Sequence, residues 1–149
     1  MNRLELGRTG IEVSDWCLGT MTFGAQTPQE DAFAQMDMAL EAGIDFFDSA
    51  EMYPVNPVRR ETVGLGEEMI GRWFADTGKR DRVVLATKAG GDSRMIRDGE
   101  GYGPGNIAAL IDASLRRLGT DWIDLYQLHL PTRGSFLFRQ HWTYDPSGQ

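Results

Sequence analysis

A single cysteine, Cys17, occurs in the 149 residues. No internal disulfide can form. A lone thiol fits a reducing cytosol, where it is more often core than nucleophile. There are only two histidines, His129 and His141, and no H-x-H or H-x-x-x-H pair. A metal-dependent barrel hydrolase needs clustered His and carboxylate ligands, so no metal site is expected. Basic residues are outnumbered: 15 Lys and Arg against 22 Asp and Glu give a net charge of −7. Nucleic-acid affinity comes mainly from Lys and Arg on phosphates, so no nucleic-acid partner is expected. A small anionic ligand held by a local basic group stays open. No run approaches the roughly 18 apolar residues of a membrane span, and Met1-Asn2-Arg3 is not followed by an apolar signal region. The chain therefore reads as soluble and cytoplasmic, without a membrane partner. The phosphate-binding pattern G-x-G-x-x-G is also missing, because Gly19-Thr20-Met21-Thr22-Phe23-Gly24 does not match it.

What is present suffices for the core of one ordinary domain, at 41% hydrophobic residues. Residues 3–6 and 11–14 flank Gly7-Arg8-Thr9-Gly10 and read as a β-hairpin. A short strand at 15–18 closes at Gly19-Thr20-Met21. Thr27-Pro28-Gln29-Glu30 then predicts a helix start, with Thr27 and Glu30 as a capping box and Pro28 in the first turn. Phe33, Met36 and Leu40 give that helix one apolar face, and Gly43 stops it. A strand at 44–48 follows. A second helix is expected over about 61–75, with Leu65, Met69 and Trp73 beside Ile70 and Phe74. Next come a strand at 82–87 and a glycine-rich loop at 89–103, read as flexible rather than as a phosphate cradle. A third helix at about 104–118 carries Ile107, Leu110, Ile111, Leu115 and Leu118 and stops at Gly119, before a strand at 122–128.

Strands alternating with helices predict a parallel sheet. Three strands recur about 40 residues apart and end on residues that a buried strand would not choose for stability: Asp48, Lys88 and His129. Period-two alternation groups Ile44, Phe46 and Asp48 on one face, Val84, Ala86 and Lys88 on the next, and Ile123, Leu125, Gln127 and His129 on the last. A barrel has its active site at the C-terminal strand ends. Asp48, Lys88, His129 and the loop residue Tyr53 all fall there. Singly, each has an ordinary explanation: a loop cap, a solvated charge, a structural histidine, a packed aromatic. Their coincidence on consecutive units points to a site. An ammonium beside a phenol favours loss of the phenol's proton, so Tyr53 next to Lys88 suits a general acid. Asp48 compensates Lys88, and His129 orients a carbonyl oxygen. The hydride for such a reduction must come from a cofactor. Gln127 lies on the same inward face without an evident partner.

Several stretches together resemble the aldo-keto reductases. They are Phe46-Phe47-Asp48-Ser49-Ala50-Glu51-Met52-Tyr53, Leu85-Ala86-Thr87-Lys88, Leu118-Gly119-Thr120-Asp121-Trp122-Ile123-Asp124-Leu125-Tyr126-Gln127-Leu128-His129, and the opening Leu4-Glu5-Leu6-Gly7-Arg8-Thr9-Gly10. The branch it resembles is the bacterial one with the Tas-type reductases, related to the potassium-channel β subunits. The resemblance implies an α/β (β/α)8 TIM barrel that binds NADPH and reduces a small carbonyl substrate. By position it assigns Tyr53 as proton donor, with Lys88, Asp48 and His129 beside it. It places Gly19, Thr20, Met21 and Asp48 near the cofactor. It implies a hairpin plug at 3–14, βα units over 15–128, and a loop after strand four at 130–149 in which Phe138, Trp142 and Tyr144 line the substrate pocket. Only strands one to four are expected here, as a truncated N-terminal half-barrel whose open edges allow self-association. The alternative function is a non-catalytic cofactor-sensing or interaction subunit, or an inactive fragment of such a reductase.

Overall fold

The computed structural model describes residues 1–91, 94–130 and 147. The expected pocket-lining loop, with Phe138, Trp142 and Tyr144, lies outside them. The elements are β1 (Arg3–Glu5), β2 (Glu12–Ser14), β3 (Cys17–Gly19), α1 (Gln29–Glu41), β4 (Phe46–Asp48), α2 (Leu65–Thr77), β5 (Val84–Ala89), α3 (Ile107–Leu118) and β6 (Leu125–Leu128). β1 and β2 form the antiparallel hairpin. The remaining strands form a parallel sheet in the order β3-β4-β5-β6. This is the expected run of βα units.

One face of the sheet is covered by helices. Phe47 and Leu85 point into that side, against Met36, Ile70, Trp73 and Leu118, all at 0% exposure. Each large side chain so buried contributes about 2–3 kcal/mol relative to exposure. Gly71 lets α2 and α3 approach closely, since a Cβ there would lie 2.5 Å from the Arg117 carbonyl oxygen. The opposite face carries the rows Cys17–Phe46–Val84, Gly19–Asp48–Ala86–Leu125 and Lys88–Gln127. The parity expected for these residues holds from Phe46 and from Leu125 onward. Ile44 and Ile123 depart from it and pack against the helix-side core. Both precede the point where the chain enters the sheet, so strand alternation does not yet apply to them.

The N-terminal end of the sheet is tied by carboxylates. Asp45 accepts the Ser14 N–H at 2.9 Å and pairs with Arg3 at 2.6 Å, which docks the hairpin under β4. Burial opposes ionisation of Asp45, but the Arg3 and Ser14 hydrogen bonds outweigh it and hold the carboxyl below its ordinary value. Asp124 accepts from Arg80 and from the Leu85 N–H, both at 2.8 Å. Arg80 stacks between Phe74 and Trp122.

Several local expectations are corrected. The capping box does not form. The Thr27 hydroxyl bonds that of Thr22 at 2.8 Å, and α1 starts after Pro28 without a side-chain cap. α2 begins at Leu65 rather than near 61, because the preceding turn closes on Gly64 at φ 90°. Gly43 and Gly119 stop their helices at positive φ, as expected, and Gly78 does the same after α2. In the described part of the glycine-rich loop, Arg97 donates to the carbonyls of Glu100 and Gly101, and Asn106 donates to that of Gly101. Cys17 is exposed on the inner face, not core. The burial that its thiol does have, together with the Asp48 charge, pushes its pKa to about 11, so it is a poor nucleophile. Among the described residues, no helix is long and apolar enough to cross a membrane.

Candidate active site

Asp48 ends β4, Lys88 lies one residue before the end of β5, and His129 follows β6. Register alone therefore gathers them at one end of the sheet. Lys88 is only 9% exposed. Its ammonium has three protons to place, and three acceptors surround it: Asp48 Oδ2 at 2.7 Å, the Ser49 carbonyl at 2.7 Å and Tyr53 Oη at 3.2 Å. Because Lys88 donates to the phenol oxygen, the phenol's own proton remains available to another acceptor.

Tyr53 is set by its backbone. Its N–H donates to the Ala50 carbonyl at 3.0 Å, and its own carbonyl accepts from the N–H groups of Gly64 and Gly66, each at 3.2 Å. The start of α2 thus anchors the loop that presents the phenol. A Cβ at residue 66 would lie 3.1 Å from Tyr53 Cβ, so a glycine suits this contact.

The His129 backbone N–H extends the β5–β6 ladder to Ala89 at 3.1 Å. Its ring stands edge-on to Tyr53, with centroids 5.8 Å apart. Nδ1 is buried with no partner among the described residues. Burial, and next the Lys88 charge, push the imidazole pKa below its ordinary value, with Asp48 opposing. The ring is therefore neutral near pH 7, with one nitrogen able to donate a hydrogen bond and the other to accept one.

All four residues proposed from sequence thus meet. Gln127, unexplained in the sequence, joins them: its Nε2 donates to Asp48 Oδ1 at 3.1 Å. Its inward parity was the available signal. The partner needed the Lys88–Gln127 register. Of the expected cofactor neighbours, Gly19 is exposed in register with Asp48, and no atom lies within 4 Å of an added Cβ. Thr20 is buried, and its hydroxyl donates to the Asp48 carbonyl at 3.0 Å. Met21 is 45% exposed. It lines a cleft of about 490 Å³ with Met52, Tyr53, Val55, Asn56, Pro57, Val58, His129 and Leu130. The phenol, the imidazole and the Asn56 carboxamide are the side-chain groups in this mostly apolar wall that can bond a carbonyl oxygen.

The sequence matches the Aldo/keto reductase family over residues 16–135. It is 46% identical over 138 residues to Protein tas of Escherichia coli (strain K12), covering 90% of this chain and 40% of that protein. It is 46% identical over 134 residues to the uncharacterized oxidoreductase YrpG of Bacillus subtilis (strain 168), covering 87% of this chain and 40% of that protein. A holo-form structure of an aldo-keto reductase from Bacillus halodurans superposes with a TM-score of 0.70 at 36% identity, over 87% of this chain and 40% of that one. The chain spans about 40% of the length of these proteins.

Proposed function

This chain belongs to the aldo/keto reductase family, and from that premise we propose that it carries the catalytic residues of an NADPH-dependent reductase of aldehydes or ketones. The observation that supports this most directly is the Lys88 ammonium bonded at once to Asp48 and to the Tyr53 oxygen. The fold is that of the family's (β/α)8 barrel, of which the parallel sheet here presents four strands.

In this reading a substrate carbonyl enters the cleft with its oxygen between Tyr53 and His129. The neutral imidazole donates a hydrogen bond that orients it. NADPH, when bound, supplies the hydride to the carbonyl carbon, which no side chain can do. Gly19 and Met21 are the exposed residues beside Asp48 that would lie against the cofactor. The unobstructed space in front of Gly19 suits a flat ring. Tyr53 gives its proton to the carbonyl oxygen as the charge develops there, completing the alcohol. The phenolate left behind faces the Lys88 ammonium, which stabilises it until solvent restores the proton. Asp48 keeps Lys88 aimed, and Gln127 keeps Asp48 aimed. The setting proposed is cytoplasmic. Among the described residues, β3 and β6 each pair on one side only. Their free edges are proposed to meet further strands, in a longer chain or in a second copy.

The test is a fluorescence titration with NADPH and a reduction assay, on the wild type and Tyr53→Phe. Both should bind alike, while Tyr53→Phe loses reduction by roughly a hundred- to ten-thousandfold. Undiminished turnover in Tyr53→Phe would remove the phenol from the mechanism. Saturable binding with no turnover in the wild type would favour a cofactor-sensing role.

A further inference from the structure

Behind the Lys88–Tyr53 pair lies a buried carboxylate that the reaction above does not use. Glu51 is 4% exposed. One of its oxygens accepts the Gly90 N–H at 2.8 Å, and the other pairs with Arg97. Its backbone N–H donates to the Lys88 carbonyl at 3.0 Å. One residue therefore grips β5 at Lys88 through its main chain, and again just past the strand through its side chain. Gly90 makes the second grip possible, because a Cβ there would lie 2.9 Å from the Ile96 side chain and 3.1 Å from the Glu51 carboxylate. Arg97 also donates to the carbonyls of Gly90 at 3.2 Å and Glu100 at 2.9 Å. Two residues before Glu51 is Ser49, whose carbonyl takes Lys88 Nζ. Two residues after it is Tyr53.

We propose that Glu51 and Arg97 form a latch that fixes the end of β5 against the Tyr53 loop and so sets the Lys88–Tyr53 geometry. Glu51 is a positioning residue that acts through Lys88. Without the carboxylate, the Gly90 N–H loses its acceptor, and Arg97, left with the carbonyls of Gly90, Glu100 and Gly101 alone, no longer ties the end of β5 to the Tyr53 loop, so the two segments separate. The consequence for turnover rests on the reductase reading, but the latch is a statement about Lys88 and is testable without turnover.

The chain has two lysines, Lys79 and Lys88. Lys79 pairs with Asp37 on the helical side and serves as an internal reference. A short pulse of reductive methylation, read by peptide mass spectrometry, gives the Lys88-to-Lys79 labelling ratio. Glu51→Gln and Arg97→Met should each raise it several-fold, and the double variant should raise it no further than Glu51→Gln alone. An unchanged ratio in single variants that fold by circular dichroism overturns the latch. A double variant showing the product of the two single effects overturns it too. Should Glu51→Gln not fold, Arg97→Met decides alone, because Arg97 lies outside the core. In a turnover assay with NADPH and a carbonyl, the same variants should lower kcat about tenfold with KM nearly constant. A wild type that does not turn over defeats the reductase reading and leaves the labelling result standing. An active wild type with unchanged labelling in the variants defeats the latch alone.

Discussion

Asp45 and Asp48 stand at opposite ends of one short strand and do opposite work. Asp45 is closed off by Arg3 and a backbone N–H. With Asp124 and Arg80, it makes the lower end of the sheet a set of paired charges. Asp48 is held by Lys88 and Gln127, and Lys88 passes the interaction on to a phenol that faces a cleft. Both ends contain partly buried ion pairs. The difference is where the chain of hydrogen bonds stops: in backbone at the lower end, and in a group with a proton to give at the upper end. A half-buried, paired carboxylate is therefore not a functional sign in itself. One whose partner leads to an open ionisable group is.

This contrast can be broken by variants at either end. The largest effect is expected at the lower end. Arg80→Met strands Asp124 and should cost about 3 kcal/mol in urea unfolding, while kcat per folded molecule stays unchanged. A variant that is stable but catalytically impaired would erase the distinction between the ends. A smaller, opposite effect is expected for Gln127→Met. It removes one hydrogen bond to a charged group, worth about 1.5 kcal/mol, so kcat should fall about tenfold with little change in unfolding. Unaltered turnover would show that Lys88 alone orients Asp48.

The mildest effect concerns pH. The His129 pKa is lowered from 6.5, so the neutral ring is the form favoured by folding. Its contribution to stability is full above pH 6.5. It declines as pH falls, because the unfolded chain takes up the proton first, and it levels off below the lowered folded value. Unfolding curves across this range should be flatter for His129→Gln than for the wild type. Parallel curves would mean that the ring is as well solvated in the fold as out of it.

Much of this was legible in the sequence because it is local. Period-two alternation placed Asp48, Lys88 and Gln127 on one face before any partner was known. Glycine stops at 43 and 119 work through backbone conformation alone. The types of residue at the strand ends, together with the motifs around them, pointed to the family. Two expectations fail where a distant group competes, and a third where exposure alone decides. Thr27 was read as a cap, but Thr22 takes its hydroxyl. Ile44 was read as inward, but Asp45 is held by the hairpin before the strand begins. Cys17 was read as core, but it lies on the exposed inner face.

By itself, then, the sequence determined the order of elements, the face on which the strand residues from Phe46 and from Leu125 onward lie, and the chemical identity of the four site residues. These follow from dihedral preferences and side-chain alternation within one segment. Only the tertiary structure decided that Lys88 pairs in register with Gln127, that Gln127 holds Asp48, and that Glu51 reaches Gly90 and Arg97. Parallel strands are joined by long crossovers, so their register is set by contacts between residues some 40 positions apart, such as Arg80 with Asp124 and Lys88 with Asp48. No local preference encodes those distances.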